Sequence, residues 1–340
     1  MIVAAVAALS LLIPQQLDQI VHEGTPGVEA HANGRNYAAG KAPVNGQVRV
    51  GSITKSFVAV TALQLVAEGK IELDGPASKY VQYVKDSRIT VRQVLQHTSG
   101  LPDYPLAIGV NKIADIRNRH FEPHELLDAA LTQPPSFPPG EKYQYSNTNY
   151  VVAGLMIQRV TGRPVAEEVQ RRVIDRAGLK DTYWPKQGEQ RIRGKHAQAF
   201  AVSDLLDPKS PVVNATELDT SAAWAAGAMV STPADVAKFY RILLGGGLLA
   251  KPQLDEMRKT VPADDKSAYG LGLESFKLSC GGEWWGHGGT IHGWASLGGA
   301  TDNGRNAAIT LTALPGTFGT DPARTLQQMV DVIDTALCKK

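Results

Sequence analysis

Strand signals at both ends of this chain, with helix signals between them, constrain its fold more than any other feature. Near the N-terminus, residues 27–40 predict a hairpin with Asn33-Gly34 at its turn. Runs of strand-forming residues predict further strands at 269–276, 283–285, 293–300 and 306–314, with a turn at Asp302-Asn303-Gly304. The economical solution is an α+β fold, in which one antiparallel sheet built from both chain ends is flanked by helices.

Helix signals fill the middle of the chain. The apolar run at 57–67, followed by Glu68-Gly69-Lys70, predicts a buried helix that ends at the glycine. Thr232-Pro233 and Asp321-Pro322 predict the starts of two later helices. Further helices are predicted at 90–96, 123–132, 150–160 and 165–177. We therefore expect a mostly helical domain, residues 76–225, inserted into a sheet domain formed by residues 1–75 and 226–340.

The composition argues against several classes of function. The 340 residues are 43% hydrophobic and 20% charged, with a formal net charge of +2, as in soluble globular domains. This balance, with short basic clusters, predicts no nucleic-acid partner, and no apolar run reaches membrane-spanning length. We expect a monomer. We expect no metal, because Pro123 separates His120 from His124 and spoils that helical ligand pair. We also expect no cofactor.

Two features bear on where the protein works. The apolar run at 2–13 has the length of the core of an export signal, but it lacks the usual preceding basic segment. Alternatively, it begins an N-terminal helix that continues through Val21. Cys280 and Cys338 are either plain buried thiols or, in an exported protein, one disulfide. We expect the protein to be secreted or to work at the outside of the cell envelope.

Ser52 and Lys55 form the first candidate chemical motif. They lie three residues apart at the start of the buried helix and therefore on one face of it. A serine hydroxyl is a poor nucleophile until a base takes its proton, and a desolvated lysine can do so. The same pattern arises by chance in many helices, where the serine is a cap and the lysine is a solvated charge.

Tyr145-Ser146-Asn147 is the second motif, where a loop enters the helix predicted from Tyr150. A tyrosine has a free pKa of about 10, but a nearby ammonium such as that of Lys55 would favour its phenolate. The amide of Asn147 could hold a substrate carbonyl. The alternative is a loop tyrosine followed by capping residues.

Gly286-His287-Gly288-Gly289-Thr290 is the third motif. Glycines weaken a strand unless another group must approach its backbone closely, and a substrate bound as an extra edge strand would do so. A backbone amide of this strand and that of Ser52 could then form an oxyanion hole. The alternative is a glycine bulge with a structural histidine.

These motifs occur in one order along the chain: Gly51-Ser52-Ile53-Thr54-Lys55, Tyr145-Ser146-Asn147 and His287-Gly288-Gly289. Together they resemble the signature of serine penicillin-recognising enzymes, in particular the group that contains class C β-lactamases and D-alanyl-D-alanine carboxypeptidases. Residues 97–101, 139–150 and 269–272 are similar to connecting segments of that family. The resemblance runs from about Leu17 to Cys338 and implies the β-lactamase/transpeptidase-like fold, which agrees with the prediction above.

By this resemblance, Ser52 is the nucleophile that becomes acylated. Lys55 and Tyr145 share the proton transfers: they activate Ser52, protonate the leaving group and activate the water that deacylates the enzyme. Asn147 orients the amide of the acyl group.

The glycine strand completes the implied site. The backbone amides of Ser52 and Thr290 would hold the oxyanion, and Thr290 would lie beside the leaving group. His287 occupies the position of a lysine in most penicillin-recognising enzymes, and Gly288 and Gly289 would line the substrate.

Two positions depart from the family's pattern where a carboxypeptidase would hold the carboxylate of its substrate. A related carboxypeptidase has an arginine six residues before its first cysteine and a hydroxyl after its motif histidine; here these positions are Glu274 and Gly288. A glutamate would repel a carboxylate, and each charged hydrogen bond lost removes ~1.5–3 kcal/mol. Lys277 or Thr290 could compensate. The alternative is that Glu274 is a solvated strand charge without a role.

Despite these departures, cleavage of a D-Ala-D-Ala peptide bond remains the leading expectation from the resemblance, and the substrates would be small peptides, esters or β-lactams. Hydrolysis of esters, amides or D-residue peptides without a free carboxylate, and acyl transfer to an amine, would use the same machinery. A non-catalytic penicillin-binding sensor is the alternative from a different class, and it would be expected to lack Ser52, Lys55 or Tyr145.

Cys280 and Cys338 match a cysteine pair that forms a disulfide in an exported carboxypeptidase of this family.

Overall fold

An eight-stranded antiparallel sheet forms the centre of the molecule. The structure is a computed structural model that describes residues 2–338, with side chains from residue 11 onward. The strands in this range are β1 (Gly27–Ala32), β2 (Arg35–Gly40), β3 (Val48–Arg49), β4 (Phe200–Val202), β5 (Val212–Asn214), β6 (Val230–Ser231), β7 (Val261–Pro262), β8 (Ser267–Tyr269), β9 (Glu274–Lys277), β10 (Glu283–Ile291), β11 (Trp294–Ala300) and β12 (Asn306–Leu311). The main sheet has the order β2-β1-β12-β11-β10-β9-β8-β7, and β3–β6 and β4–β5 form two short ribbons.

The two ends of the chain meet in the main sheet. β1 pairs with β2 on one side and with β12 on the other, so the first and last strands are neighbours. Asn33 and Gly34 form the β1–β2 turn with φ angles of 48° and 89°, which these two residue types tolerate best. The predicted α+β fold with an antiparallel sheet is confirmed.

Helices occupy both the middle of the chain and its two ends. The α-helices of the described residues are α1 (Ile2–His22), α2 (Thr54–Ala67), α3 (Val91–Leu95), α4 (Ile113–Ile116), α5 (Pro123–Leu131), α6 (Thr148–Thr161), α7 (Val165–Val169), α8 (Asp175–Ala177), α9 (Pro233–Leu244), α10 (Lys251–Met257) and α11 (Pro322–Cys338). None of these helices, as far as the chain is described, is long and apolar enough to cross a membrane.

Each face of the sheet is covered by its own helices. On one face, Leu17 and Ile20 of α1 pack with Met329 and Ile333 of α11 against Ile309. On the opposite face, α9 and α2 contribute to the larger core. The neighbouring residue Ala308 belongs to that second core, because successive side chains of a strand point to opposite faces.

Helix α2 links the sheet to the helical part of the chain. Its side chains from Thr54 to Leu65 are all buried, as predicted for the apolar run. The ring of Phe57 stacks on that of Phe239 in α9, with the ring centroids 3.9 Å apart. On its other side, α2 packs against α6. The start of α2 therefore lies where the sheet face meets the helices between β3 and β6; the domain boundaries themselves stay a prediction.

Three local predictions differ from the structure. The strand predicted at 269–276 is split into β8 and β9, because Gly270 and Gly272 form a tight turn with a positive φ at Gly272. The strand predicted at 283–285 extends to Ile291, so the glycine motif continues β10. Ser52 lies in a 3₁₀ turn, Gly51–Ile53, that precedes α2.

The two termini of the described chain are held by α1 and α11. The stretch at 2–13 is helical as part of α1, whereas an export signal stays a prediction. Cys338, at the end of α11, forms a disulfide with Cys280 in the β9–β10 connection. This is the pairing that the family resemblance implies, and it ties the last helix to the strand that carries His287.

Candidate active site

The backbone around Ser52 is packed directly against strand β10. Gly51 has a positive φ of 52°, and a Cβ there would lie 2.8 Å from the backbone nitrogen of Thr290. A Cβ on Gly289 would lie 2.0 Å from the carbonyl oxygen of Val50 and 3.0 Å from the nitrogen of Ser52. The distances of 2.8 Å from Gly51 and 2.0 Å from Gly289 are too short for a Cβ atom. Glycine is therefore required on each side of the contact. The two backbones predicted to form an oxyanion hole are thus neighbours.

Lys55 lies beneath the half-buried Ser52 and is itself fully buried. Its Nζ lies 2.9 Å from Ser52 Oγ, 2.9 Å from Asn147 Oδ1 and 2.7 Å from the carbonyl oxygen of Ala226. Burial lowers the pKa of this amine to about 7, although the negative charges of Asp103 and Glu274 act in the other direction.

With a pKa of about 7, Lys55 is present as an ammonium ion, which donates to all three oxygens, and as a neutral amine. A neutral amine has two N–H groups and one lone pair. The oxygens of Asn147 and Ala226 can only accept, so they take the two N–H groups. The remaining lone pair then faces the Ser52 hydroxyl, which is the geometry of a base that receives the serine proton.

Tyr145 contacts Ser52 from the other side. Its hydroxyl is hydrogen-bonded to the Ser52 side chain, and its ring centroid lies 4.9 Å from Lys55 Nζ. Burial raises the pKa of Tyr145 well above its usual value, and the bond to Ser52 offsets this in part. The shift toward a phenolate expected from a lysine charge is not found. Tyr145 is therefore a neutral hydroxyl that can pass a proton on, and Lys55 is the stronger base.

Asn147 is held in place by a residue that sequence reasoning did not identify. Asp103 accepts hydrogen bonds from the backbone N–H of Asn147 at 2.7 Å and from its Nδ2 at 3.2 Å. This fixes the orientation of the amide, with Oδ1 toward Lys55. The acidic residue follows His97-Thr98-Ser99-Gly100-Leu101-Pro102, a segment similar to the family's but without an obvious chemical role in sequence.

His287 lies in the same cluster, but both of its ring nitrogens have protein partners. The backbone N–H of Ser146 donates to Nδ1 of His97 at 3.2 Å, so His97 carries its proton on Nε2 and donates to the Tyr269 hydroxyl, 3.2 Å away. Tyr269 in turn donates to Nε2 of His287 at 2.9 Å. His287 then donates from Nδ1 to the carbonyl oxygen of Gly288.

This chain of hydrogen bonds leaves His287 neutral. Burial lowers its pKa to about 3, and the charge of Lys55 acts in the same direction. His287 therefore does not supply the positive charge that a lysine gives at this position in most penicillin-recognising enzymes. In the sequence, His97 and Tyr269 belong only to connecting segments similar to the family's, and nothing local shows that the two residues meet.

Glu274 lies beside this cluster and is not a freely solvated charge. It is opposite Gly286 in the β9–β10 register, its side chain is 19% exposed, and its Oε1 lies 3.5 Å from His287 Nε2. Burial, with the nearby charge of Asp264, raises its pKa to about 8. Lys277 is exposed and three positions along the strand, so it points to the opposite face and cannot replace a carboxylate-binding arginine.

An apolar cavity adjoins Asn147 and Thr290. It has a volume of about 180 Å³. Asn147 and Thr290 lie on its wall, and its apolar lining includes Tyr104, Val110, Ile116, Leu218 and Ile291. The site thus has two unlike parts: an apolar cavity beside Asn147, and a carboxyl group beside Tyr145. Among the described residues, no cluster suited to a metal ion occurs.

The site thus combines a half-buried serine with a buried lysine and a tyrosine that both contact it, beside the backbone of β10. These are the parts of a serine hydrolase. The family comparison agrees: residues 14–328 match the family model described as Beta-lactamase, and the chain belongs to this family.

Solved structures similar to this chain include two enzymes named for D-amino acid derivatives. A D-stereospecific amidohydrolase from Streptomyces sp. is 37% identical, with a TM-score of 0.85, over 93% of this chain and 97% of that one. A D-amino acid amidase from Ochrobactrum anthropi SV3, in complex with L-phenylalanine amide, is 27% identical, with a TM-score of 0.83, over 96% and 98%.

A curated relative is the esterase EstB of Burkholderia gladioli. It is 33% identical over 147 residues, which are 39% of this chain and 37% of that protein. The chain thus matches little more than a third of the length of such curated relatives.

Proposed function

We propose that this protein hydrolyses amides and esters of D-amino acids through an acyl-enzyme formed on Ser52. Two of the similar structures are named for activity on D-amino acid derivatives, and the curated relative is named as an esterase. The observation that carries the proposal is the position of the Lys55 amine, buried and 2.9 Å from Ser52 Oγ with its N–H groups occupied elsewhere.

Acylation would proceed as follows. The Ser52 oxygen bonds to the carbonyl carbon of the substrate while Lys55 takes the hydroxyl proton. The carbonyl oxygen becomes an oxyanion, which the backbone amides of Ser52 and Thr290 stabilise. The carbon–nitrogen or carbon–oxygen bond then breaks, and the leaving group receives a proton from Tyr145, which recovers one from Lys55.

Deacylation reverses these roles. Water takes the place of the leaving group and bonds to the acyl carbon. It loses a proton to Tyr145, which passes its own proton to Lys55. The Ser52–carbon bond then breaks, and the proton returns to the Ser52 oxygen as the carboxylic acid leaves. Asn147, which Asp103 holds, orients the acyl group at the mouth of the apolar cavity.

A D-alanyl-D-alanine carboxypeptidase is the second candidate. The full set of Ser52, Lys55, Tyr145 and Asn147 favours it. Glu274 and the absent side chain of Gly288 stand against it, because a substrate with a free carboxylate would meet a carboxyl group where it needs a cation.

A matched substrate panel tests the two candidates. It contains D- and L-phenylalanine amide, D-phenylalanine methyl ester and an N-acylated D-Ala-D-Ala peptide, each with wild-type protein and Ser52→Ala. We expect Ser52-dependent hydrolysis of the D-amide and the ester, with kcat/KM at least about tenfold above that for the peptide or the L-amide. Preferential cleavage of the peptide would establish the second candidate instead, and equal rates with Ser52→Ala would refute both.

A further inference from the structure

Glu274 is a carboxyl group in the active site without a cationic partner. Among the described residues, the basic nitrogen within 4 Å of it is that of His287, which is neutral in the hydrogen-bond chain described above. Its side chain is mostly shielded, yet 19% of it is open to solvent. Because no cation offsets its burial, the pKa of Glu274 is raised to about 8. A cation supplied by a ligand would therefore stabilise the carboxylate form and complete this site.

The surroundings of Glu274 suit an organic ammonium ion. Tyr143, Tyr145, Tyr269 and His287 form one aromatic cluster, in which the ring centroids of Tyr143 and Tyr269 are 5.5 Å apart and those of Tyr145 and His287 are 6.4 Å apart. Glu274 is paired with Tyr269 in the β8–β9 register, and its Oε1 lies 3.5 Å from Nε2 of His287, so the carboxyl group adjoins this cluster. Carboxylates and aromatic faces together are the groups that bind alkylammonium ions.

The position of Glu274 shows which half of a substrate it would meet. The apolar cavity is lined by Asn147 and Thr290 but not by Tyr145 or Glu274, and Glu274 adjoins His287, whose ring centroid is 6.4 Å from that of Tyr145. If Asn147 orients the acyl group and Tyr145 protonates the leaving group, then Glu274 faces the leaving group. The same space is taken by the nucleophile that releases the acyl group from Ser52.

We propose that Glu274, with Tyr143 and Tyr145, forms a subsite for an alkylammonium group carried by the leaving group or by an amine that accepts the acyl group. The proposal rests on the acyl-enzyme proposed above. It makes a diamine the preferred acceptor, since one amino group can bind Glu274 as an ammonium ion while the other reacts as a neutral amine.

The transfer step balances without a further reactant. The neutral amine nitrogen bonds to the acyl carbon and gives one proton to Tyr145, which passes its own proton to Lys55. The bond between the acyl carbon and Ser52 Oγ then breaks, and that oxygen takes the proton. The products are a free Ser52 and an amide whose far end still carries the ammonium group.

The test compares three acceptors of one chain length: 1,4-diaminobutane, butylamine and 4-aminobutyrate. Each is offered to the acyl-enzyme made from D-phenylalanine methyl ester at a pH above the pKa of Glu274, which is about 8, so that the carboxyl group is ionised. Concentrations of neutral amine are equal, and the ratio of amide to acid product is measured. We expect the wild-type ratio for the diamine to exceed that for 4-aminobutyrate by at least about tenfold, as one charged hydrogen bond would give. Because the ratio is internal to each reaction, changes in overall rate cancel.

Two variants localise the effect. Glu274→Gln should reduce the preference to less than about threefold, because the amide lacks the charge. Glu283→Gln, which makes the same substitution at an exposed position at the start of β10, should leave it unchanged. An unchanged preference in Glu274→Gln, or none in the wild type, would overturn the proposal.

A measurement on the wild type alone guards against a variant that does not fold. Butyltrimethylammonium cannot act as a nucleophile, so it should lower transfer to the diamine, whereas butyrate should not; equal effects would contradict the subsite. Hydrolysis of the ester is recorded in every reaction. If Ser52-dependent hydrolysis is absent, the proposed function fails; if hydrolysis is present without the acceptor preference, the ammonium subsite alone fails.

Discussion

Replacing Lys55 with methionine is expected to abolish acylation and to change how stability depends on pH. The pKa of Lys55 is about 7 in the folded protein and 10.5 in the unfolded chain. Between these values, the unfolded chain binds the proton and the folded protein does not, so the stability of the wild type rises with pH across this window. At about 1.36 kcal/mol per pKa unit, the rise from pH 7 to pH 9.5 amounts to about 3 kcal/mol.

Urea unfolding at several pH values measures this effect. The difference in the free energy of unfolding between the wild type and Lys55→Met should change by about 3 kcal/mol over that range, in favour of the wild type at high pH. The lost contacts to Ser52, Asn147 and Ala226 shift the whole curve but not its slope. Lys251→Met is the matched control, because this side chain is 84% exposed. A difference that does not vary with pH would show that Lys55 is not a depressed-pKa amine.

Further predictions concern the hydrogen-bond chain, the disulfide and the nucleophile. Tyr269→Phe removes the donor to Nε2 of His287, so the ¹⁵N resonances of this ring should leave the pattern of a neutral ring protonated at Nδ1; an unchanged spectrum would contradict the assigned chain. Replacing Cys280 and Cys338 with serine opens a loop with a sequence separation of 58 residues and should lower the free energy of unfolding by about 4 kcal/mol; equal stability of the oxidised and double-variant proteins would refute this. A fluorescent penicillin should label the wild type but not Ser52→Ala, as seen by mass spectrometry of the labelled peptide, and labelling elsewhere would count against Ser52.

Patterns within short segments predicted most of the fold. Asn33-Gly34 predicts its turn because few other residues tolerate its backbone angles. Thr232 predicts the start of α9 because it is the N-cap, whose side chain accepts a hydrogen bond from the backbone N–H of Asp235. The prediction at 269–276 was wrong for the opposite reason. Strand-forming residues on both sides of Gly270 and Gly272 hid a turn whose sharpness depends on packing against Met257 and Tyr150.

The candidate site was less accessible to sequence reasoning than the fold. Ser52 and Lys55 are three residues apart, so their meeting could be predicted from helical spacing. Asp103 is 44 residues from Asn147, and His97 is 172 residues from Tyr269. Such contacts are produced by the tertiary fold and leave no local pattern. The direction of the pKa shift of Tyr145 was likewise out of reach, because it is set mainly by burial, which no local pattern shows.

The glycine contact between Gly51 and β10 has a consequence for how this site can change. Since Gly51 and Gly289 meet backbone to backbone, the spacing between Ser52 and the backbone amides proposed to form the oxyanion hole does not depend on any side chain. Residues around it, such as Glu274 and Leu218, can then be exchanged without moving the backbone of this contact. The molecule thus separates a fixed reaction centre from a variable rim, and substrate preference can drift while the chemistry stays the same.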